Sequence, residues 1–294
     1  MPNIFWYVLI SAIGLGVSVF TICAKRKAYK VTTFITLYLF AAGLSWVGEF
    51  SVLGLFNSYA YVTGVFSDPW AQNLLGHLLL NSTLYPAAAI VMVGYSFGYG
   101  WILFISALFT SFEFFFVRMG LYEQHWWKYY FTIITSIIYL LFIRWWFTKI
   151  NRKQSVPIRV FTFFFVALVV VHFPAPILML LGMQHYEFSF IRIYFNNFYL
   201  SSIMFNFSYH MVECFLIVIF TCILKKWFWK AAPFVISIVA QSLFAEMHIL
   251  VLENGWKLIY SIFVYAVFIA LFELLERFSL RPDPNRMKPN RLYM

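Results

Sequence analysis

The sequence predicts an all-α integral membrane protein of about nine transmembrane helices, with one lead helix followed by two parallel four-helix repeats. Three observations carry this expectation. Hydrophobic residues make up 63% of the 294 residues and charged residues 11%, whereas a soluble domain carries roughly 25% charged residues. Nine separate stretches reach the length of about 20 mostly apolar residues that a bilayer crossing needs. The basic residues gather in alternate loops, as the positive-inside rule requires.

The stretches run in order as 4–23, 32–56, 72–95, 99–118, 129–149, 157–182, 195–224, 231–252 and 257–276. The first follows Met1-Pro2-Asn3 with no basic leader, and is read as a retained span rather than a cleaved signal. A tight turn through Gly94, Gly98 and Gly100 separates the third from the fourth. The seventh is long, and its start around Phe190–Phe198 reads as an interfacial segment. The organisation expected is 1–31 as lead helix and basic loop, 32–153 and 154–278 as the two four-helix units, and 279–294 as a flexible basic tail.

Charge placement orients the chain. Seventeen basic residues lie on one side: Lys25 to Lys30, Arg144 to Arg159, Lys225 to Lys230 and Arg277 to Arg291. The other side holds four, Arg118, Lys128, Arg192 and Lys257. The expectation is a plasma-membrane protein with its N-terminus outside and its C-terminus in the cytoplasm. The net charge of +10 is then an orienting device facing lipid headgroups, and nucleic acid is not an expected partner. The outer loops carry Tyr59, Tyr61, Trp70, Tyr122, Trp126, Trp127, Tyr186 and Trp256. These read as an interfacial aromatic belt, or as a surface for stacking carbohydrate or lipid. Cys23, Cys214 and Cys222 sit in apolar runs with no CxxC and read as small core side chains.

An internal duplication is expected from spacing. His77 precedes Glu113 by the same interval as His210 precedes Glu246, and each Glu is followed by a Trp-Lys pair, Trp127-Lys128 and Trp256-Lys257. Each unit has an even number of spans, so the copies would run parallel.

Within 72–150, several features occur in order: Asn73-Leu74-Leu75-Gly76-His77, Leu84-Tyr85-Pro86, Glu113, Gly120 with Tyr122, and Trp126-Trp127-Lys128-Tyr129. This stretch resembles a family of small uncharacterised multi-pass membrane proteins from spore-forming Gram-positive bacteria. The resemblance covers about a quarter of the chain. Family members are about half this length, which implies a tandem duplication here, although Val218-Ile219 stands where the second copy would carry Tyr-Pro. The resemblance implies a fold and a bacterial plasma membrane, and no activity.

Ionisable groups in a bilayer cost roughly 2.5–3.5 kcal/mol each at mid-helix, so those retained must satisfy one another. Glu49, Glu113, His172 and Glu246 fall in the outer half of their spans, His77 lands in the same layer and His210 lies level with it or deeper according to where the seventh span begins; these six are the expected buried polar site. Asn81, Tyr85, Asn206 and Glu213 support it, because His77, Asn81 and Tyr85, and likewise Asn206, His210 and Glu213, recur at helical spacing. Pro174 and Pro176 beside His172 predict an irregular wall. Glu273 and Glu276 near Arg277 read as a solvated interface.

Three function classes fit. A transporter or small-ligand and ion-handling protein would use the His/Glu site to bind a proton, cation or small ligand. A metal-dependent intramembrane enzyme would use His and carboxylate ligands, though the nearest pairs, His210 with Glu213 and Glu246 with His248, match no metalloprotease motif. A sensor or scaffold would act through the aromatic loops. No GxxxxGK[ST] loop occurs, and the GxSxG string Gly94-Tyr95-Ser96-Phe97-Gly98 lies in the tight turn between the third and fourth spans rather than at a strand-to-helix nucleophile elbow. Catalytic residues, metal, cofactor and oligomeric state are not assigned by the sequence.

Overall fold

The computed structural model describes residues 1–152, 155–224 and 226–280. The expected tail 281–294, together with Lys153 and Lys225 of the basic loops, lies outside the described residues. Among the described residues nine helices are long and apolar enough to cross a membrane. They are α1 (Asn3–Lys25), α2 (Val31–Leu55), α3 (Pro69–Gly94), α4 (Tyr99–Arg118), α5 (Tyr129–Asn151), α6 (Val156–Leu180), α7 (Phe198–Ile223), α8 (Trp227–Glu246) and α9 (Leu258–Phe278). Large apolar side chains such as Ile13, Phe20, Val235, Phe263 and Leu274 point outward. An apolar exterior of this extent is a surface for lipid rather than water.

Small residues decide which helices approach closely. The buried face of α1 is Tyr7, Ser11, Gly14, Ser18 and Thr21, a stripe at steps of three and four that lets two backbones meet. A Cβ on Gly14 would sit 3.2 Å from the Thr83 backbone of α3. At the centre, α2 packs on α6, the most enclosed span. A Cβ on Gly43 would lie 2.4 Å from the Phe165 carbonyl oxygen, so the seam admits no side chain there. Phe163, Val166, Ala167, Leu168 and Val171 of α6 are fully buried.

Several spans are interrupted, each with a local cause. In α3 the helix breaks into Pro69–Asn81 and Leu84–Gly94. Pro86 lacks an N–H and clashes with the carbonyl four residues back. That carbonyl, on Ser82, instead accepts the Tyr38 hydroxyl at 2.6 Å, and the Ser82 hydroxyl accepts Trp46 Nε1 at 3.2 Å. In α6, Pro174 and Pro176 divide Val156–His172 from Pro174–Leu180, as their positions predict. The last turns of α2 and α7 widen into π-helix at Phe50–Leu55 and Ile219–Ile223. The lead-in to α7 is a separate short helix, Ser189–Tyr194, where an interfacial segment was expected.

The helices join at one face through two long-range hairpins, two-stranded sheets whose strands come from loops far apart in sequence, that periodicity did not predict. Strand β1 (Tyr59–Tyr61) pairs antiparallel with β2 (Tyr122–Gln124), and β3 (Gln184–Tyr186) with β4 (Leu250–Leu252). The first hairpin links the α2–α3 and α4–α5 loops, and the second links α6–α7 and α8–α9. Tyr59, Tyr61, Tyr122 and Tyr186 are buried beneath these hairpins. The aromatic-belt reading is therefore corrected for these four and for Trp127, which is buried too. Trp126, still exposed, fits it.

The opposite face holds the basic loops. There Glu276 is buried and pairs with Arg159, whose guanidinium also donates to the Glu276 and Leu280 carbonyls at 2.9 and 3.2 Å. This corrects the solvated reading of Glu276. A fixed cation from α6 holds the acid at the end of α9.

Candidate functional site

The starting point is Glu49, near the hairpin end of α2. Its carboxylate accepts the Tyr59 hydroxyl at 2.5 Å on one oxygen and the Tyr61 hydroxyl at 2.8 Å on the other. Both tyrosines come from β1. Burial first, and the Glu49 charge second, push their hydroxyls well above the ordinary tyrosine range, so both stay protonated and donate. The strand is held by Asn73 of α3, whose side-chain oxygen accepts Tyr61 N–H at 2.7 Å. Asn81 donates to Tyr61 Oη at 3.3 Å and accepts Ser45 Oγ at 2.6 Å.

Glu49 lines a cavity of about 50 Å³ together with His77, His172 and Pro176. Trp46, Trp70, Phe50 and Phe207 supply its aromatic walls. Three ionisable side chains from α2, α3 and α6 thus face one space between the two halves of the chain. His77 Nδ1 is buried with no hydrogen-bond partner. Trp46 stands between the imidazoles, its ring 5.5 Å from His77 and 5.7 Å from His172.

His172 connects the cavity to α7. Its Nδ1 lies 3.3 Å from His210 Nδ1, which also lies 2.8 Å from the Asn206 carbonyl oxygen. His210 Nε2 then faces Glu213 Oε2 at 3.7 Å, beyond hydrogen-bond distance. His210 and Glu213 are fully buried, as is Asn206, and His172 nearly so.

Glu113 belongs to a different space. It accepts Gln124 Nε2 at 2.6 Å and the Thr132 hydroxyl, which in turn receives Trp127 Nε1 at 2.8 Å. With Tyr85 and Tyr122 it lines a second cavity of about 90 Å³. Tyr59 and Tyr61 border that cavity as well, so they stand between the two spaces. The single gathering expected of six residues is therefore divided. Glu49, His77 and His172 share one cavity, His210 reaches it through His172, and Glu113 sits beyond the tyrosines.

Glu246 is in neither. It is exposed at the last turn of α8. The expected span 231–252 in fact ends there, because His248 takes a left-handed backbone with φ +56° and the chain turns into β4. Glu246 is removed from the site on that ground.

Residues that the spacing did not single out complete the picture. Tyr186, Tyr209, Gln241 and Tyr265 all have buried polar atoms without partners. Gln241 lies four residues after Ser237 and donates to it at 3.1 Å. Tyr265 lies four residues after Ser261, which donates to Gln184 at 2.5 Å. Helical spacing on α8 and α9 was the available signal.

Matching hydrogen bonds recur between the halves. Asp68 caps α3 and Asn197 caps α7, and the two caps bond each other at 2.8 Å across 129 positions. Tyr61 N–H donates to Asn73 as Tyr186 N–H donates to Ser202, and Trp127 donates to Thr132 as Trp256 donates to Ser261. The helix residues in these pairs, Asp68 with Asn197, Asn73 with Ser202 and Thr132 with Ser261, and the tryptophans as well, share an offset of 129 residues, while the strand tyrosines Tyr61 and Tyr186 are offset by 125. On that offset His77 falls on Asn206 and Asn81 on His210, one helical turn from the His77–His210 match that the spacing gives.

Among the described residues no group of three His, Cys, Asp or Glu side chains is placed to hold one metal ion. No protein-family model, curated protein or solved structure matches the chain.

Proposed function

We propose that this chain is a plasma-membrane transporter or small-ligand and ion-handling protein whose cargo enters the cavity walled by Glu49, His77 and His172. The observation that carries the reading is the convergence of these side chains, from three separate spans, on one cavity with aromatic walls. Ionisable residues inside a bilayer mark substrate and proton pathways because they are costly to keep otherwise. Glu49 supplies an acceptor held by two tyrosines, and His77 supplies an imidazole nitrogen with no internal partner. Pro174 and Pro176 leave the α6 wall short of backbone donors, as in the broken helices of transporters.

The orientation proposed puts the hairpin face outside and the basic face in the cytoplasm, on the charge asymmetry of the loops. We further propose that the two halves are parallel copies of one four-helix unit, in the register that the capping and tryptophan hydrogen bonds support. The resemblance at 72–150 to the spore-former membrane family agrees with such a duplication.

The test is flux. Purified chain is reconstituted in liposomes carrying a pH-sensitive dye, and sodium, potassium and pH gradients are imposed. The expected result is protein-dependent proton or cation movement, reduced about tenfold or more in Glu49→Gln and in His77→Gln and unchanged in Glu246→Gln. Wild-type rates in folded Glu49→Gln and His77→Gln would overturn the reading, as would a folded wild type that moves nothing under any gradient.

A further inference from the structure

A second polar chamber lies in the other half of the protein, beneath the β3–β4 hairpin. Its centre is Glu213 on α7, whose side chain is 1% exposed and whose two carboxylate oxygens have no hydrogen-bond partner. Tyr209 and Ser237 face the carboxylate, and Tyr186 and Tyr265 face each other beside it. The hydroxyl oxygens of Tyr186, Tyr209 and Tyr265 and the amide oxygen of Gln241 are likewise buried and unpartnered. Ring contacts tie the set together: Tyr186 to Tyr209 at 6.3 Å, Tyr209 to His210 at 4.7 Å, and His210 stacked on Tyr265 at 5.5 Å.

Leaving one buried polar atom without a partner is unfavourable by about 1–3 kcal/mol. Six such oxygens, on side chains that adjoin one another around Glu213, favour an occupant that satisfies several together. The chemistry of the occupant follows from three features. The free atoms are mostly oxygens, the ligand type of hard cations. There is one carboxylate, and among the described residues the only cationic candidate at ion-pair distance from it is His210.

The third feature is the His210 tautomer. A carbonyl oxygen only accepts, so the 2.8 Å contact with Asn206 puts the ring proton on His210 Nδ1. In the neutral ring Nε2 is then bare, and it faces Glu213 Oε2 at 3.7 Å. Two lone pairs opposed at that separation call for positive charge between or beside them. Ligands of an ion with bonds of about 2.3–2.6 Å stand about that far apart when they are neighbours in its shell.

We propose that Glu213 is the centre of a monovalent-cation site, with the Gln241 amide and the Tyr186, Tyr209 and Tyr265 hydroxyls as its oxygen ligands. One carboxylate balances one positive charge, which matches sodium or potassium in a low-dielectric interior. The site is separate from the Glu49 cavity but joined to it through His210 and His172. It therefore extends the transport reading by assigning the ion, yet it is measurable without any transport.

The experiment is equilibrium binding of radiolabelled sodium, and of rubidium as a potassium analogue, to the purified full chain in detergent, with choline replacing the competing salt. One saturable site per chain is expected for one of the two ions. It should be lost in Glu213→Gln and kept in Glu246→Gln. Tyr265→Phe, which removes one ligand and retains the ring stacked on His210, should weaken affinity about threefold or more, and it decides the matter should Glu213→Gln fail to fold. Wild-type protein with no saturable binding of either ion would overturn the proposal, and would point to a chamber filled by water and a protonated acid. Binding unchanged in folded Glu213→Gln or in Tyr265→Phe would overturn it too. Sodium or rubidium binding without flux would leave this site standing and remove the transport reading alone.

Discussion

His172 Nδ1 and His210 Nδ1 approach to 3.3 Å, and only one of them holds a proton in the neutral pair. The Asn206 carbonyl at 2.8 Å decides which, since it needs a donor and His210 Nδ1 is the nitrogen that faces it. That hydrogen is shared between a carbonyl and an imidazole, and the proton of His172 is left on Nε2. The two rings therefore adopt opposite tautomers. This couples the wall of the Glu49 cavity to the Glu213 chamber through one hydrogen, and a second proton on His172, which would sit on the accepting Nδ1, breaks the arrangement.

The first prediction is spectroscopic. Nitrogen-15 spectra of histidine-labelled protein near neutral pH should show one buried ring protonated at Nδ1 and one at Nε2. His210→Gln should remove the first signal and His172→Gln the second. Two buried rings in the same tautomer would contradict the hydrogen-bond assignment.

A second prediction concerns the central seam. Gly43 faces the Phe165 carbonyl so closely that a methyl group would lie 2.4 Å from it, whereas a Cβ on Gly48, in the same helix, meets nothing within 4 Å. Overpacking a tight interface costs typically about 1–3 kcal/mol. Gly43→Ala should lower the thermal midpoint in detergent by that order, and Gly43→Val should prevent accumulation of folded protein. Gly48→Ala should be neutral or slightly stabilising, because alanine is the better helix former by up to about 1 kcal/mol. Equal tolerance at both positions would show that α2 and α6 do not meet at this seam.

The nine spans were legible because a bilayer imposes one length and one composition on every crossing. The fourth span, 99–118, coincides with Tyr99–Arg118. The polar face Asn206, His210, Glu213 was legible because helical spacing is local. The hairpins were not, since three-residue strands leave no periodic signal and Tyr59 pairs with Gln124 across 65 positions. Without the hairpins, Tyr59 and Tyr61 could only be read as belt residues, and their bonds to Glu49 were out of reach. Glu246 was misplaced for a related reason. Apolar character continues past the end of α8 into β4, and only the left-handed turn at His248 marks where the helix stops.

A third prediction follows from His185 in β3, outside the spans. Burial holds its imidazole below the ordinary value of 6.5, and nearby Glu253 opposes this more weakly. The folded pKa is thus depressed relative to the unfolded chain. Between those two values the unfolded state binds more protons, so stability falls as pH falls. The contribution is complete above pH 6.5 and is lost as pH drops through the folded value. Hydrogen-exchange protection of the β3–β4 amides, corrected for intrinsic rates, should fall below pH 6.5. His185→Gln should flatten that response while leaving the β1–β2 hairpin unaffected.

The last prediction separates the structural part of Glu49 from its part in handling cargo. Its two oxygens are the acceptors for Tyr59 and Tyr61. Glu49→Ala strands both buried hydroxyls, at about 1–3 kcal/mol each, and should lower stability markedly. Glu49→Gln keeps one oxygen acceptor and should cost less, while abolishing the charge. Removing the hydroxyls as well, in Tyr59→Phe/Tyr61→Phe, should make a further Glu49→Ala change much less damaging, because a pair replaced on both sides leaves nothing unsatisfied. Thermal unfolding of these variants measures the coupling. If Glu49→Ala is as costly in the phenylalanine background as in wild type, the tyrosines are not what holds the carboxylate. If stability recovers there while flux does not, Glu49 acts on the cargo through its charge, and the tyrosines serve to position it.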